Sequence, residues 1–144
     1  VSTARPADSP TEWVRAHIDR YVATAGADGH DWQGTTTLLL TTTGRRTGVP
    51  RRTALIYQRD GADYVVVAAQ GGAPAHPAWY LNLTAHPEVA VQVGGEKFTA
   101  RARTATAAER ARLWPVMTGA WPDYAEYQRR TSREIPVVLL SPAA

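Results

Sequence analysis

The stretch TTLLLTTTGRRTGVPRRTALIYQRDGADYVVVAA, residues 36–69, decides the fold. Residues 36–43 are a threonine and leucine run, and stiff β-branched side chains favour an extended backbone. Gly44, Gly48 and Pro50 punctuate a loop over residues 44–50. Residues 53–59 read as a second strand, Asp60-Gly61 as a hairpin signal, and residues 64–69 as a third strand. Upstream, Ser9 is placed to cap a helix, with Pro10 in its first position and Glu12 three residues after the cap. Trp13, Val14, His17, Ile18, Tyr21 and Val22 then recur at helical spacing, and Gly26 ends the run. Residues 1–8 read as a disordered lead-in. Downstream come a Gly/Pro-rich loop (70–77), a short helix (78–85) ended by His86-Pro87, and a hairpin of residues 89–93 and 96–104 about Gly94-Gly95. Thr106 and Glu109 form a capping box for a helix running through Leu113 and Trp114, with Pro115 as a kink point. Asp123 is placed to cap a short helix bearing Tyr124 and Tyr127, and Pro136 heads a last strand over residues 137–140. Six strands with few helices predict a mostly β (α+β) domain, a small antiparallel barrel with flanking helices.

Composition narrows the chemistry. The 144 residues make one domain, and 44% hydrophobic with 20% charged residues describes a soluble globular chain. The absence of cysteine excludes a disulfide framework, a thiol nucleophile and thiolate metal sites. No apolar run approaches the roughly 18–20 residues that span a bilayer. VSTARPADSP at the start lacks the apolar core of a signal peptide, so a cytoplasmic location is expected. The apolar stripe of the first helix serves core packing or a peripheral membrane contact.

Three segments carry chemistry. In TTTGRRTGVPRRT (41–53), Arg45, Arg46, Arg51 and Arg52 fall within eight residues with no carboxylate between them. That is either a solvated basic hairpin or a cradle for phosphate and carboxylate oxygens, which guanidinium groups match in a bidentate way. In QGGAPAHPAWYLNL (70–83), Gly71-Gly72 permits close backbone approach beside the flat Trp79 and Tyr80, and packing of a barrel mouth is the plainer reading. In GAWPDYAEYQRRT (119–131), Trp121, Tyr124 and Tyr127 share a helical face that lines a pocket or simply packs. The histidines lack metal spacing, and the basic loop has neither the interleaved aromatics nor the motif of a nucleic-acid reader. No metal site and no nucleic-acid partner are expected.

LLLTTTGRRTGVPRRT, DGADYVVVAAQGG, HPAWYLNLTAHPEVAVQVGG and WPDYAEYQRRTSREIPVVLL, in this order, resemble the deazaflavin-dependent nitroreductase family, whose members use coenzyme F-420. The resemblance runs from about Leu38 to Pro142. It implies a six-stranded split β-barrel of the FMN-binding, pyridoxamine-phosphate-oxidase-like type. It places the cofactor's phosphate and polyglutamate tail on Arg45, Arg46, Thr47, Gly48, Pro50, Arg51 and Arg52. The deazaflavin ring is expected along Ala54, Ile56, Val67, Ala68, Ala69, Gln70 and Gly71, with Trp79 closing the groove. Trp121, Tyr124 and Tyr127 are expected to build the substrate side. This chain departs from the pattern twice: Ala75 stands where many members have lysine, and Trp121 replaces a pocket tyrosine.

The reaction so implied is hydride transfer from the reduced deazaflavin to an electron-poor apolar acceptor, a quinone, a coumarin-type enone or a nitroaromatic. Tyr124 is the candidate catalytic residue, a hydrogen-bond donor to the acceptor and a candidate proton source. Two alternatives stand beside it: an FMN-dependent reductase on the same barrel, and a non-enzymatic binder of the deazaflavin or an apolar ligand. The sequence does not specify an oligomeric state.

Overall fold

Period-two alternation settles which side chains of the central strands face which core. The computed structural model describes residues 6–143. Its elements are β1 (Ala7–Asp8), α1 (Glu12–Ala23), β2 (Asp31–Trp32), β3 (Thr35–Thr43), β4 (Pro50–Ile56), β5 (Gln58–Asp60), β6 (Asp63–Val67), a 3-10 turn at Gln70–Gly72, α2 (Ala78–Ala85), β7 (Glu88–Val93), β8 (Glu96–Thr104), α3 (Ala107–Ala120), α4 (Asp123–Arg129) and β9 (Val137–Pro142). The sheet runs β1-β4-β3-β7-β8-β9-β6-β5, with β2 added to β3. Every pairing is antiparallel except β1 with β4.

The ladder does not close. The long strands β4 and β6 approach each other without pairing, which makes the barrel a split one. Because β1 pairs only with Arg51 and Arg52, the β4 edge over residues 53–56 is left open toward this split. Leu38 and Leu40 of β3, Tyr64 and Val66 of β6, and Val138 and Leu140 of β9 fill the barrel. The intervening residues Val65, Val67, Val137 and Leu139 face outward but are equally buried, because Leu113 and Met117 of α3 and Tyr124 of α4 cover them. Leu39 points out on the other side, where Ile18 and Tyr21 of α1 cover it. Each such aliphatic side chain is worth about 1.5–3 kcal/mol relative to exposure. Strands buried on both faces explain why LLL and VVV read as continuous apolar runs.

Several local expectations are corrected. The N-terminal lead-in is not wholly unstructured: residues 7–8 form β1, drawn in by an ion pair between Asp8 and Arg52, while residues 1–5 lie outside the described residues. Helix α1 begins at Glu12 with Thr11 at its cap, and Ser9 Oγ instead accepts from the Thr11 N–H at 3.3 Å. The second expected strand breaks at Tyr57, whose ring is turned into the barrel core and whose hydroxyl meets His30 Nε2 at 2.8 Å. The Thr106–Glu109 capping box forms, but α3 passes through Pro115 to Ala120, the part beyond the proline anchored by buried Met117. Arg103 and Thr106 both hydrogen-bond the Glu109 carboxyl and hold it down to about 2. Pro122, not Asp123, occupies the cap position of α4.

Candidate active site

Helix α2 fixes the basic loop. Buried Asn82 on α2 accepts from both the backbone N–H and Nη1 of Arg45, each at 3.1 Å, and donates to Thr42 Oγ1 at 3.2 Å. Within the loop, the Gly44 N–H donates to Val49 O and the Gly48 N–H to Gly44 O, while Thr47 Oγ1 accepts from the Val49 N–H. A Cβ on Gly44 would stand 2.9 Å from Val49 O, so the turn requires glycine there. The loop, α2 and the β1 segment enclose a cavity of about 430 Å³ that Arg45, Arg46, Thr47, Arg51 and Arg52 line together with Asp8 and Asn82.

Its charges are unequally compensated. Arg52 is bidentate to Asp8, Nε–Oδ1 2.6 Å and Nη2–Oδ2 3.1 Å, with side chains only 18% and 12% exposed. Arg45, Arg46 and Arg51 have no carboxylate partner among the described residues. Three guanidinium groups therefore carry uncompensated charge, that of Arg45 with one N–H on Asn82, whereas Arg52 is committed to holding β1. No spacing rule points to Asp8, because the pairing is made across 44 residues.

A second cavity of about 460 Å³ adjoins the first, and Ser9, Thr53 and Trp79 line both. Its walls are the open edge of β4 (Ala54, Leu55 and Ile56), Val67 and Ala69, the turn residues Gln70 and Gly71, and Tyr124 and Tyr127 from α4. Trp13, Val14 and His17 of α1, and Trp32 of β2, complete it. The Trp13 and Trp32 rings stack at 5.9 Å with an interplanar angle of 11°. Helix α1 was legible as an apolar stripe, but nothing in its spacing marks it as a pocket wall.

Two devices shape the turn beside this cavity. Gly72 passes so close to α4 that a Cβ would stand 2.5 Å from Tyr127 O. Arg133, not singled out by the sequence reading, donates to Ala69 O at 2.6 Å, Ala73 O at 2.8 Å and Ala68 O at 3.2 Å, and meets His76 Nδ1 at 3.0 Å. Desolvation and the neighbouring Arg133 lower the His76 pKa, so its Nδ1 is the acceptor in this contact. Ala75 is exposed on the same loop.

Not every expected site residue reaches a cavity wall. Trp121 caps α3 and packs its ring on Trp32 at 5.3 Å; it stands behind Trp32 and does not line the cavity. Ala68 is fully buried and offers its carbonyl to Arg133. Gly48 shapes the outer turn at φ +72°, and Pro50 is buried at the head of β4, so neither lines the basic cavity. Tyr124 is buried, its ring edge-on to Tyr127 at 6.2 Å, and its hydroxyl makes no hydrogen bond among the described residues. Burial raises its pKa, so the phenol stays protonated and acts as a donor.

Among the described residues no three His, Asp or Glu side chains come close enough to hold a metal ion, and no helix is long and apolar enough to cross a membrane. The donor set fits a long cofactor that is anionic at one end and flat and apolar at the other. Arginines without carboxylate partners line one cavity, an aliphatic strand edge and aromatic rings line the next, and the two share three wall residues.

Residues 13–142 match the family model described as F420H(2)-dependent quinone reductase. An F420H(2)-dependent quinone reductase of Mycobacterium tuberculosis is 44% identical over 132 residues, 89% of each chain. A solved F420-H2 dependent reductase is 40% identical, with a TM-score of 0.68 over 73% of this chain and 93% of its own. A second structure, described as a domain-swapped dimer, is 38% identical with a TM-score of 0.71 over 92% of this chain and all of its own. The heme-storage protein HutZ of Vibrio cholerae, 13% identical with a TM-score of 0.58 over 91% of each chain, shares the split-barrel fold alone. The chain belongs to the F420H(2)-dependent quinone reductase family, a family of oxidoreductases whose cofactor is coenzyme F-420.

Proposed function

We propose that this chain reduces an electron-poor apolar acceptor, a quinone before an enone or a nitroaromatic, in the cavity lined by Tyr124 and Tyr127. The observation that carries the reading is the adjacency of two unlike cavities that share Ser9, Thr53 and Trp79 as wall residues. Arg45, Arg46 and Arg51 would hold the phosphate and carboxylates of the cofactor tail through charge-assisted hydrogen bonds. Ala54, Ile56, Val67 and Ala69 would offer the flat ring an aliphatic face, and Trp79 would close the junction. When bound, reduced coenzyme F-420 supplies the hydride.

The protein's own contribution is to bind, orient and exclude water. Tyr124 donates a hydrogen bond to the acceptor oxygen that gains charge. Because burial holds the phenol protonated, this reading makes Tyr124 a fixed donor and takes the product's proton from solvent. The test follows deazaflavin fluorescence as the reduced cofactor meets a naphthoquinone, a coumarin and a nitroaromatic, beside binding titrations with FMN. Oxidation fastest with the quinone, and FMN binding much weaker than F-420 binding, are expected. Tight F-420 binding with no oxidation by any acceptor would leave a carrier in place of an enzyme. Equal FMN affinity would remove the role given to three free arginines, since a single phosphate does not need them.

A further inference from the structure

His17 is 3% exposed, yet it lines the cavity that Tyr124 also lines, reaching it from α1 rather than from α4. Its Nε2 lies 3.3 Å from Thr37 Oγ1. The one hydroxyl proton of Thr37 is committed, because that oxygen lies 2.7 Å from Gly29 O, which can only accept. Nε2 must therefore carry the hydrogen and donate to Thr37. In a neutral imidazole this leaves Nδ1 as a lone-pair acceptor. Nδ1 has no partner among the described residues and is not sealed from the open space beside it. Burial and the charge of Arg20 lower the imidazole pKa, against weaker opposing effects from Asp28 and the Gly29 carbonyl, so the neutral form prevails near pH 7. A wall that also carries Trp13, Val14 and Trp32 thus holds one acceptor fixed by its tautomer, across from the buried Tyr124 donor on α4.

We propose that His17 is the second polar contact of the acceptor site, with Nδ1 taking a hydrogen bond from a hydroxyl of the substrate or of its reduced product while Tyr124 donates to an oxygen. The favoured ligands are fused aromatic carbonyl compounds bearing a hydroxyl, and the hydroquinones that reduction produces. This deepens the acceptor reading above and rests on it for the identity of the ligand. In balance, a quinone gains one hydride from the reduced cofactor and one proton from solvent, and the resulting hydroquinone presents a hydroxyl donor that the quinone lacked. Nδ1 recognises that donor, and a donor hydroxyl on the substrate engages it before reduction.

Calorimetric titration of the protein saturated with oxidised coenzyme F-420, which fills the ring position and cannot reduce a ligand, tests the contact directly, using 1-naphthol and 1-methoxynaphthalene as unreactive probes. Both ethers and phenols accept from Tyr124, but only the phenol can donate to His17. The wild-type chain is expected to prefer 1-naphthol by about five- to tenfold, the size of one neutral hydrogen bond. His17→Phe should reduce the preference to under twofold. His17→Asn, which keeps an acceptor near the position of Nδ1, should restore part of it. Thr37→Val, which leaves the imidazole in place but unties its tautomer, should weaken the preference without abolishing naphthalene binding. A preference that survives in both His17→Phe and Thr37→Val would overturn the proposal, as would its absence from the wild type. Quinone-dependent oxidation of the reduced cofactor is scored separately, so failure of the acceptor reading shows as an inactive wild type, whatever the naphthol result.

Discussion

The basic end of the groove and its aromatic end treat polar groups in opposite ways. At the basic end, three guanidinium groups stand without carboxylate partners, and the loop that bears them is tied down from behind by Asn82. At the aromatic end no Asp, Glu, Lys or Arg lines the cavity among the described residues, and its polar groups include a phenol that burial keeps protonated and an imidazole that burial keeps uncharged. The first end attracts charge over several ångströms and is screened by salt. The second acts only at hydrogen-bond distance, where placement matters more than attraction. On the proposed reading, affinity for the cofactor and selection of the acceptor belong to different parts of the site, and either should be changeable without the other.

The largest expected effect breaks the first half of this division. Replacing Arg45, Arg46 and Arg51 together by alanine should weaken F-420 binding by about 100-fold or more at low salt, since each charge-assisted hydrogen bond contributes about 1.5–3 kcal/mol. The gap between variant and wild type should shrink as ionic strength rises in a fluorescence titration; an unchanged low-salt affinity would detach the tail from this loop. Tyr124→Phe tests the other half. Turnover should fall by about ten- to thirtyfold with cofactor affinity within twofold, as for loss of one transition-state hydrogen bond. Because burial raises the phenol above its ordinary 10.0, the pH profile of kcat should show no falling limb up to that pH. A limb centred near 10 in the wild type but not in the variant would show an exposed, ionising tyrosine instead. The smallest effect sharpens the boundary between the ends. Asp8→Asn frees Arg52 for the ligand, so cofactor affinity should rise about two- to fourfold at low salt and return to the wild-type value at high salt. The same change removes the partner of a largely buried guanidinium and should lower the melting temperature by about 3–6 °C.

Much of the barrel was legible because its signals are local. TTLLLTTT, Asp60-Gly61, the capping box at Thr106 and the short helix over residues 78–85 each depend on neighbours within a few positions, and the structure places elements there. The errors came from distant contacts. Ser9-Pro10 carries a helix-start pattern, but β1 pulls the chain into extended backbone through Asp8 and Arg52 before a helix can begin there. Tyr57 looked like one more strand residue, until the barrel core took its ring and broke the ladder. In the candidate site, the arginines were conspicuous by their density, whereas Arg133 was not. Its partners are carbonyls 60 to 65 residues away, and a carbonyl leaves no mark in a sequence.

The sequence by itself determined a cysteine-free, β-rich chain with an arginine loop and a glycine turn ahead of two tyrosines. Those features rest on residue type and short spacing. Only the tertiary structure decided which arginines remain free, that Trp32 stands in front of Trp121, and that α1 brings His17 to the same cavity as Tyr124. Each of those outcomes depends on which strand edge is left open and on which distant group arrives to cover or neutralise it. Contacts of that kind are set by the packing of the whole chain, and no window along it contains them.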